Sequence, residues 1–281
     1  MARRDPLIAF ARRAEALGYD SLWVSDHVVV PWRITSRYPY NASGDFPLPP
    51  AGDFLEPLTA LALVAGVTDR VALGTSVLVL PHRHPVLAAK MLATLDHLAP
   101  GRVICGAGVG WMREEIELLG AAPYARRGAW SDEAIAVMRA CWSDERAAFA
   151  GDFFRFEAVG CRPRPAHGTI PIWIGGHTDR ALRRVVELGD GWHAAFPRRD
   201  DMAEALTRLR GACAKAGRDP ASLTISARMG LSAKQPAAGT LAEVRALRDL
   251  GVDHLILEPG VRDADTMTSV IERFAELRTR L

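Results

Sequence analysis

Cysteine is scarce in this chain. Four occur among 281 residues, at positions 105, 141, 161 and 213, and none forms a CxxC pair. That spacing excludes a zinc cluster and a disulfide framework, and it fits a reducing, cytoplasmic setting. Charge of one sign is lacking too: 35 Lys and Arg against 33 Asp and Glu leave a formal net charge of +2. No nucleic acid or other polyanion is therefore expected as a partner, and the scattered arginines read as solvated helix faces. No apolar run is long enough to span a bilayer, so no membrane association is expected. The opening MARRDPLIAFARRAEALG alternates charged and apolar residues at helical spacing and is not a signal peptide. A GxSxG nucleophile elbow and a Walker-type phosphate loop are both missing, which leaves serine hydrolases and P-loop NTPases unsupported.

What is present is a regular alternation of helical and strand signals. An amphipathic helix over Pro6–Leu17 stops at Gly18. A short strand follows at Ser21–Ser25. The stretch from 27 to 53, rich in Pro, Tyr and Trp, reads as a long loop whose aromatics favour a substrate-facing role over a linker. Helix 57–67, strand Val71–Val77, helix 85–98 and strand Arg102–Gly110 come next. Helical spacing returns at 112–119 and 131–142, and residues 148–165 read as a small β-hairpin insertion. Strands are then expected at Pro171–Ile174, Asp190–Phe196, Leu223–Gly230 and His254–Pro259, with helices at 178–189, 202–216, 241–250 and 266–281.

Seven strands, each followed by a helix and preceded by one leading helix, predict an α/β fold. The architecture is a (β/α)8 TIM barrel whose first strand is missing from this chain, folded as a single domain over residues 1–281. A doubly wound open sheet is the alternative. Three origins fit the missing strand: a start farther upstream, a trimmed chain, or an incomplete barrel. Bare strand edges make the last the least favoured.

Asp26–His27 is the first candidate for chemistry. A charged pair closing a buried strand sits where barrel enzymes place reactive groups, and a histidine there exchanges protons near neutral pH. An ordinary loop hydrogen bond is the competing reading. In IPIWIGGHTDRALRR a buried strand ends in Gly175–Gly176, and a helix starts at Thr178 and Asp179. Glycine lets a phosphate approach the backbone, the helix start supplies N–H donors, and His177 and Thr178 add side-chain donors. A tight turn with an ordinary cap fits the same residues.

GAGVG, Gly106 to Gly110, ends another strand and would let a flat ring approach the backbone. Its GxGxG spacing is not the dinucleotide fingerprint, so a Rossmann reading is rejected. His82 and His84 have no carboxylate cluster beside them; no metal site is expected, and a surface turn is their assignment. Ser76 and Val77, near a strand end, are placed at a cofactor edge. Trp32, Trp111 and Trp192 are candidates to wall a pocket, whereas Trp23, Trp130, Trp142 and Trp173 are assigned to packing.

Three runs carry a resemblance: FARRAEALGYDSLWVSDHVVVP, LEPLTALALVAGVTDRVALGTSVLVLPHRHPVLAAKMLATLDHLAPGRVICGAGVGWMREEIELLG and PIWIGGHTDRALRRVVELGDGWH. With the spacing between them, the chain resembles the luciferase-like monooxygenase superfamily, and in particular its branch of coenzyme F420-dependent oxidoreductases. The resemblance implies a bacterial-luciferase-like barrel with a flavin-type ring at its C-terminal mouth. It implies His27 as the catalytic residue, oriented by Asp26, and a non-prolyl cis peptide at Ser76–Val77. It also implies Gly108, Gly110 and Trp111 along the ring, and Gly175, Gly176, His177 and Thr178 on the phosphate. Sugar-phosphate dehydrogenases of the superfamily carry an acidic residue where Trp111 stands here, with Glu114 and Glu115 a turn later, so a sugar phosphate is not expected. The expected substrate pocket is formed by Trp32, Tyr38, Tyr40 and Glu114 beside Trp111, and it suits an apolar or aromatic molecule.

The implied function is hydride transfer between coenzyme F420 and a small organic substrate. The runner-up is an FMN-dependent monooxygenase using reduced flavin and oxygen. A non-catalytic flavin-binding protein is the reading from another class. The Ala- and Arg-rich composition of a GC-rich genome weakly favours the deazaflavin. A homodimer is implied, as is a flavin or F420 reductase as electron donor.

Overall fold

The computed structural model describes residues 2–195, 199–232, 234–261 and 263–281. Helix α1 (Arg4–Ala16) leads, followed by β1 (Ser21–Val24), α2 (Pro57–Ala65), β2 (Ala72–Thr75), β3 (Leu78–Val79), α3 (Pro85–Leu98), β4 (Val103–Gly108), α4 (Arg113–Leu119) and α5 (Arg127–Ser143). The hairpin strands β5 (Ala147–Ala150) and β6 (Arg155–Val159) come next. Then follow β7 (Ile172–Gly175), α6 (Asp179–Leu188), β8 (Gly191–Ala194), α7 (Arg199–Ala216), β9 (Thr224–Gly230), α8 (Ala237–Asp249), β10 (His254–Glu258) and α9 (Ala264–Arg278). Phe196, expected to end a strand, lies outside the described residues. Among the described residues no helix is long and apolar enough to cross a membrane.

Several boundaries differ from the sequence reading for local reasons. Helix α1 starts at Arg4, ahead of Pro6, because a proline in the first turn loses no helical hydrogen bond. Helix α5 starts at Arg127 rather than Ser131, carried by a buried face of Trp130, Ala134, Met138 and Cys141. The expected strand Val71–Val77 is broken into β2 and β3 around Ser76, whose peptide bond to Val77 is cis.

The chain divides into two compact units, one of residues 24–65 and 73–172 and one of residues 1–23, 66–72 and 173–281. In the first, β2 and β3 each pair in parallel with β4, at Leu73↔Val103 and Leu78↔Ala107. Its core holds Leu73, Leu92, Cys105, Ile116, Ile135 and Trp142, and the Trp142 indole donates to the Ala89 carbonyl at 3.0 Å. The antiparallel hairpin of β5 and β6 belongs to this unit.

In the second unit β7, β8, β9 and β10 pair in parallel, with Ile174↔Trp192, Trp192↔Ile225 and Leu255↔Ala227 in register. Every residue of β8 is buried, the pattern of a strand covered on both faces. Parallel neighbours require a crossover, and helices supply it. Within each unit the parallel strands stand in chain order, β2 and β3 beside β4 in one and β7-β8-β9-β10 in the other, the order of a (β/α) barrel and not that of a doubly wound sheet, which reverses at a switch point.

Candidate active site

Strand β1 delivers Asp26 and His27 just past its end, and there the two side chains part. Asp26 is 3% exposed and accepts from Val79 N at 2.9 Å and from both terminal nitrogens of Arg83 at 2.6 and 2.9 Å. Arg83 reaches Glu56 as well, at 2.8 Å. Burial alone would raise the Asp26 carboxyl. Hydrogen bonds from Arg83, with the charges of Arg83 and His82, outweigh it and hold the group at about 2. Asp26 is thus committed to a buried ion pair and to β3, and it does not orient His27 as the resemblance implied.

Glu115 takes that place. His27 Nδ1 lies 2.7 Å from Oε2 of Glu115, a fully buried residue in the first turn of α4. The other Glu115 oxygen accepts from Val28 N and Val29 N at 2.7 and 3.1 Å. Burial acts to raise this carboxyl, but the His27 hydrogen bond, the charges of His82 and His27 and the Val28 N–H together lower it. An ionised carboxylate only accepts, so Nδ1 carries the hydrogen and Nε2 is the ring's exchangeable nitrogen.

His82, assigned to a surface turn from sequence, is instead buried between the two carboxylates. It lies 3.7 Å from Asp26 and 3.6 Å from Glu115. The turn that carries it also buries Leu80 and Pro81, and this draws the imidazole inward.

Helix α4 also fastens the loop that follows His27. Glu114 Oε1 accepts from Thr35 N at 2.7 Å, from the Thr35 hydroxyl and from Ser36 N at 3.1 Å, while Ser36 Oγ accepts from Arg113 N. Desolvation would raise the Glu114 carboxyl, yet the hydrogen bonds of Thr35 and Ser36 bring it to about 2. Its second oxygen is buried with no hydrogen-bond partner among the described residues.

The fastened loop folds aromatic rings over His27. Ring centroids of Phe46, Phe54 and Trp111 lie 4.6, 5.6 and 6.3 Å from the imidazole. Tyr38 packs on Trp111 at 5.2 Å and Tyr40 on Tyr38 at 5.3 Å. Of the expected pocket residues, Tyr38, Tyr40, Trp111 and Glu114 therefore gather here. Trp32 does not: it is 84% exposed.

The glycines at and after the end of β4 have a packing reason. A Cβ on Gly108 would collide with Val77 Cγ2, and one on Gly110, at φ +74°, would meet Ile116 and Val79 at 2.8 Å. Neighbouring side chains, rather than open space, demand glycine at both positions. The carbonyls that follow are braced: Gly110 O accepts from Arg127 Nε at 3.0 Å and Trp111 O from the Tyr124 hydroxyl at 3.1 Å.

In the second unit the Gly175–Gly176 turn has the chemistry of an anion cradle. Gly176 sits at φ +102°, where a Cβ would press on Ala181. Thr178 caps α6 by accepting from Ala181 N at 3.3 Å, and the first helical bond runs from Leu182 N to Thr178 O. The N–H groups of Asp179 and Arg180 are left without intrahelical acceptors, and the helix dipole adds positive potential there. Asp179 is paired to Arg208 at 2.7 Å, which offsets its negative charge beside the turn. Trp192, expected to wall a pocket, is fully buried, and its indole donates to Gly176 O at 2.7 Å to hold the turn.

The same unit holds a second histidine cluster. His193 is 2% exposed, lies parallel to Trp23 with centroids 5.5 Å apart, and has Nδ1 2.9 Å from Ser226 Oγ. His254 Nε2 lies 2.8 Å from Ser21 Oγ, which accepts from the Trp23 indole at 2.7 Å. Burial, followed by the charges of Arg228 and His254, pushes His193 down to about 3. His254 is lowered by burial against the opposing pull of Asp20.

Sequence reasoning misses Glu115, His82, Arg83, Phe46 and Phe54 as members of the His27 site. The available signal is the pair Glu114–Glu115 directly after a glycine-rich strand end. Phenylalanine carries no polar handle to mark it as part of a site.

The chain has known counterparts. The profile of the luciferase-like monooxygenase family matches residues 2–276. An uncharacterized protein of Mycobacterium tuberculosis is 31% identical over 268 residues, spanning 95% of this chain and 92% of its own length. An F420-dependent hydroxymycolic acid dehydrogenase of the same organism is 32% identical over 223 residues, spanning 79% of this chain and 57% of its own. Among solved structures, an F420-dependent secondary alcohol dehydrogenase in complex with an F420–acetone adduct shares the fold at TM-score 0.78 and 20% identity, over 97% of this chain and 94% of its own. The chain belongs to the luciferase-like monooxygenase family.

Proposed function

We propose that residues 1–281 form a single catalytic domain that transfers a hydride between coenzyme F420 and a small organic substrate with an apolar or aromatic body. The observation that carries this reading is the His27–Glu115 pair under Phe46, Phe54 and Trp111. It combines one exchangeable ring nitrogen, one nitrogen fixed by a buried carboxylate, and apolar walls. Two relatives named above are F420-dependent dehydrogenases, which supports the cofactor and an alcohol or carbonyl as the reacting group.

The residues present fit such a cofactor. Gly175, Gly176, His177 and Thr178, with the free N–H groups of α6, suit its phosphate, and Ser76, Val77, Gly108, Gly110 and Trp111 are assigned to its ring. When bound, the deazaflavin supplies or accepts two electrons as a hydride. His27 Nε2 gives the accompanying proton to a carbonyl oxygen, or takes it from an alcohol. Glu115 keeps Nδ1 protonated and stabilises the imidazolium that the alcohol direction creates. Tyr38, Tyr40 and Trp111 exclude water beside His27, and Glu114 holds the pocket loop through Thr35 N and Ser36 N. The working form is read as a cytoplasmic homodimer supplied by a separate reductase.

Fluorescence titration of apo-protein with F420 and with FMN tests this. F420 is expected to bind at least about a hundredfold more tightly, a difference near 2.7 kcal/mol. Tighter FMN binding would move the assignment to a monooxygenase that uses reduced flavin and oxygen, and binding of neither would contradict the reading.

A further inference from the structure

We propose that a groove between the start of α3 and the β5–β6 hairpin binds a small organic anion with an apolar body, of the class of aryl or acyl carboxylates and sulfonates. The groove lies wholly within the unit of residues 24–65 and 73–172, and its inference does not depend on the function proposed for His27. Its cavity of about 780 Å³ falls within the size range of small-molecule sites.

Phe153, Phe154 and Phe156 supply the apolar wall, and Leu87, 53% exposed, forms the opposite lip. The wall is preformed, because Phe154 is held edge-on by Trp130 at 5.1 Å and by His84 at 5.3 Å. The charge is one-sided. Lys90, Arg155 and Arg162 line the groove and no carboxylate does. Arg155 makes no ion pair among the described residues. Arg162 has only the exposed Glu145 at 3.7 Å, a contact of little strength in water. The Lys90 ammonium donates to the Arg162 carbonyl, which keeps both basic side chains on one rim. A second copy of this chain meeting the groove symmetrically would set this basic rim against its own, and like charges would oppose the contact. A single anion carried on an apolar body satisfies both the rim and the wall.

The test uses two fluorescent probes that differ by one sulfonate: 1-anilinonaphthalene-8-sulfonate and uncharged N-phenyl-1-naphthylamine. The full chain is expected to bind the sulfonate at one site, about tenfold more tightly than the neutral probe, as charge-assisted hydrogen bonds from the basic rim provide. Arg155→Glu, a change at an exposed position, is expected to weaken the sulfonate at least fivefold and leave the neutral probe unchanged. Added F420 is expected not to displace it. Equal affinity for both probes, indifference to Arg155→Glu, or stoichiometric displacement by F420 would each overturn the proposal. So would sulfonate binding that appears only on dilution to monomers, which would give the groove to a second copy.

Discussion

His27 and His193 are both imidazoles set against aromatic rings, and the proposed function gives proton transfer to only one of them. His193 is sealed, has a serine hydroxyl at its Nδ1, and is pushed by burial to about 3, so it is neutral at any working pH. His27 is partly accessible and has a buried carboxylate at its Nδ1. A hydroxyl does little for an imidazolium; an ionised carboxylate stabilises it, as the acid of a catalytic triad does. The partner and the access, not the aromatic surroundings, separate a histidine that exchanges protons from one that fills a core. The same contrast divides the acids. Asp26, adjacent in sequence to His27, serves Arg83 and β3, whereas Glu115 from a distant helix serves the ring.

That distinction breaks most visibly at the two histidines. His27→Ala is expected to lower kcat by about a hundredfold to ten-thousandfold while F420 affinity stays close to the parent value. His193→Asn is expected to lower the Tm and leave kcat nearly unchanged. Parallel measurement of kcat and of the F420 dissociation constant checks this, and equal losses of turnover in the two variants would erase the contrast.

Asp26→Asn sharpens the comparison of the acids. Removing one partner of a buried ion pair costs about 3–5 kcal/mol, because the Arg83 charge is left uncompensated. Urea denaturation should show a loss of that size. A variant as stable as the parent would free Asp26 for the positioning role proposed for Glu115.

Glu115→Gln retains the shape of the side chain and removes its charge. Turnover is expected to fall roughly tenfold to a hundredfold, with the pH–rate profile displaced toward acid because the imidazolium loses its stabilising anion. A profile that does not move would reduce Glu115 to a clamp for the loop at Val28.

Acid stability separates the two histidines again. His193 has a folded pKa of about 3, below its ordinary value of 6.5, so the unfolded chain binds the proton more readily. Its contribution is complete above about pH 6.5 and is lost as pH falls toward 3, amounting to a few kcal/mol on the linkage relation. Asp26, held at about 2 against 3.8, contributes above about pH 4 and loses that contribution between there and 2. Unfolding free energies at pH 7, 5.5 and 4.5 should therefore decline in the parent and decline less in His193→Asn.

Most of the fold is legible in the sequence because strands covered on both faces write continuous apolar runs, as in the segments around Trp173 and Trp192, and helices write their own period between them. The break between β2 and β3 is not legible from periodicity, and only the resemblance marks it, through the cis peptide expected and found at Ser76–Val77. In the candidate site, His27 is visible from its place at a strand end. Its partner is not, because residues adjacent past a strand point in different directions, and the carboxylate that reaches Nδ1 is 88 positions away in sequence. His82 is missed for a related reason: the carboxylates on either side of it, Asp26 and Glu115, lie far from it along the chain. Trp192 reads as a pocket wall because it follows a glycine, while its fully buried place in β8 makes it a support for the Gly176 turn.

The most direct test is the tautomer of His27, read from nitrogen-15 chemical shifts and long-range couplings in the labelled protein above the pH at which the ring titrates. Held by Glu115, the neutral ring is expected to carry its hydrogen on Nδ1 and to leave Nε2 as the free base, with Glu115→Gln altering that preference. A neutral His27 with its hydrogen on Nε2 would contradict the account, because the nitrogen assigned to proton transfer would then not be the ring's base.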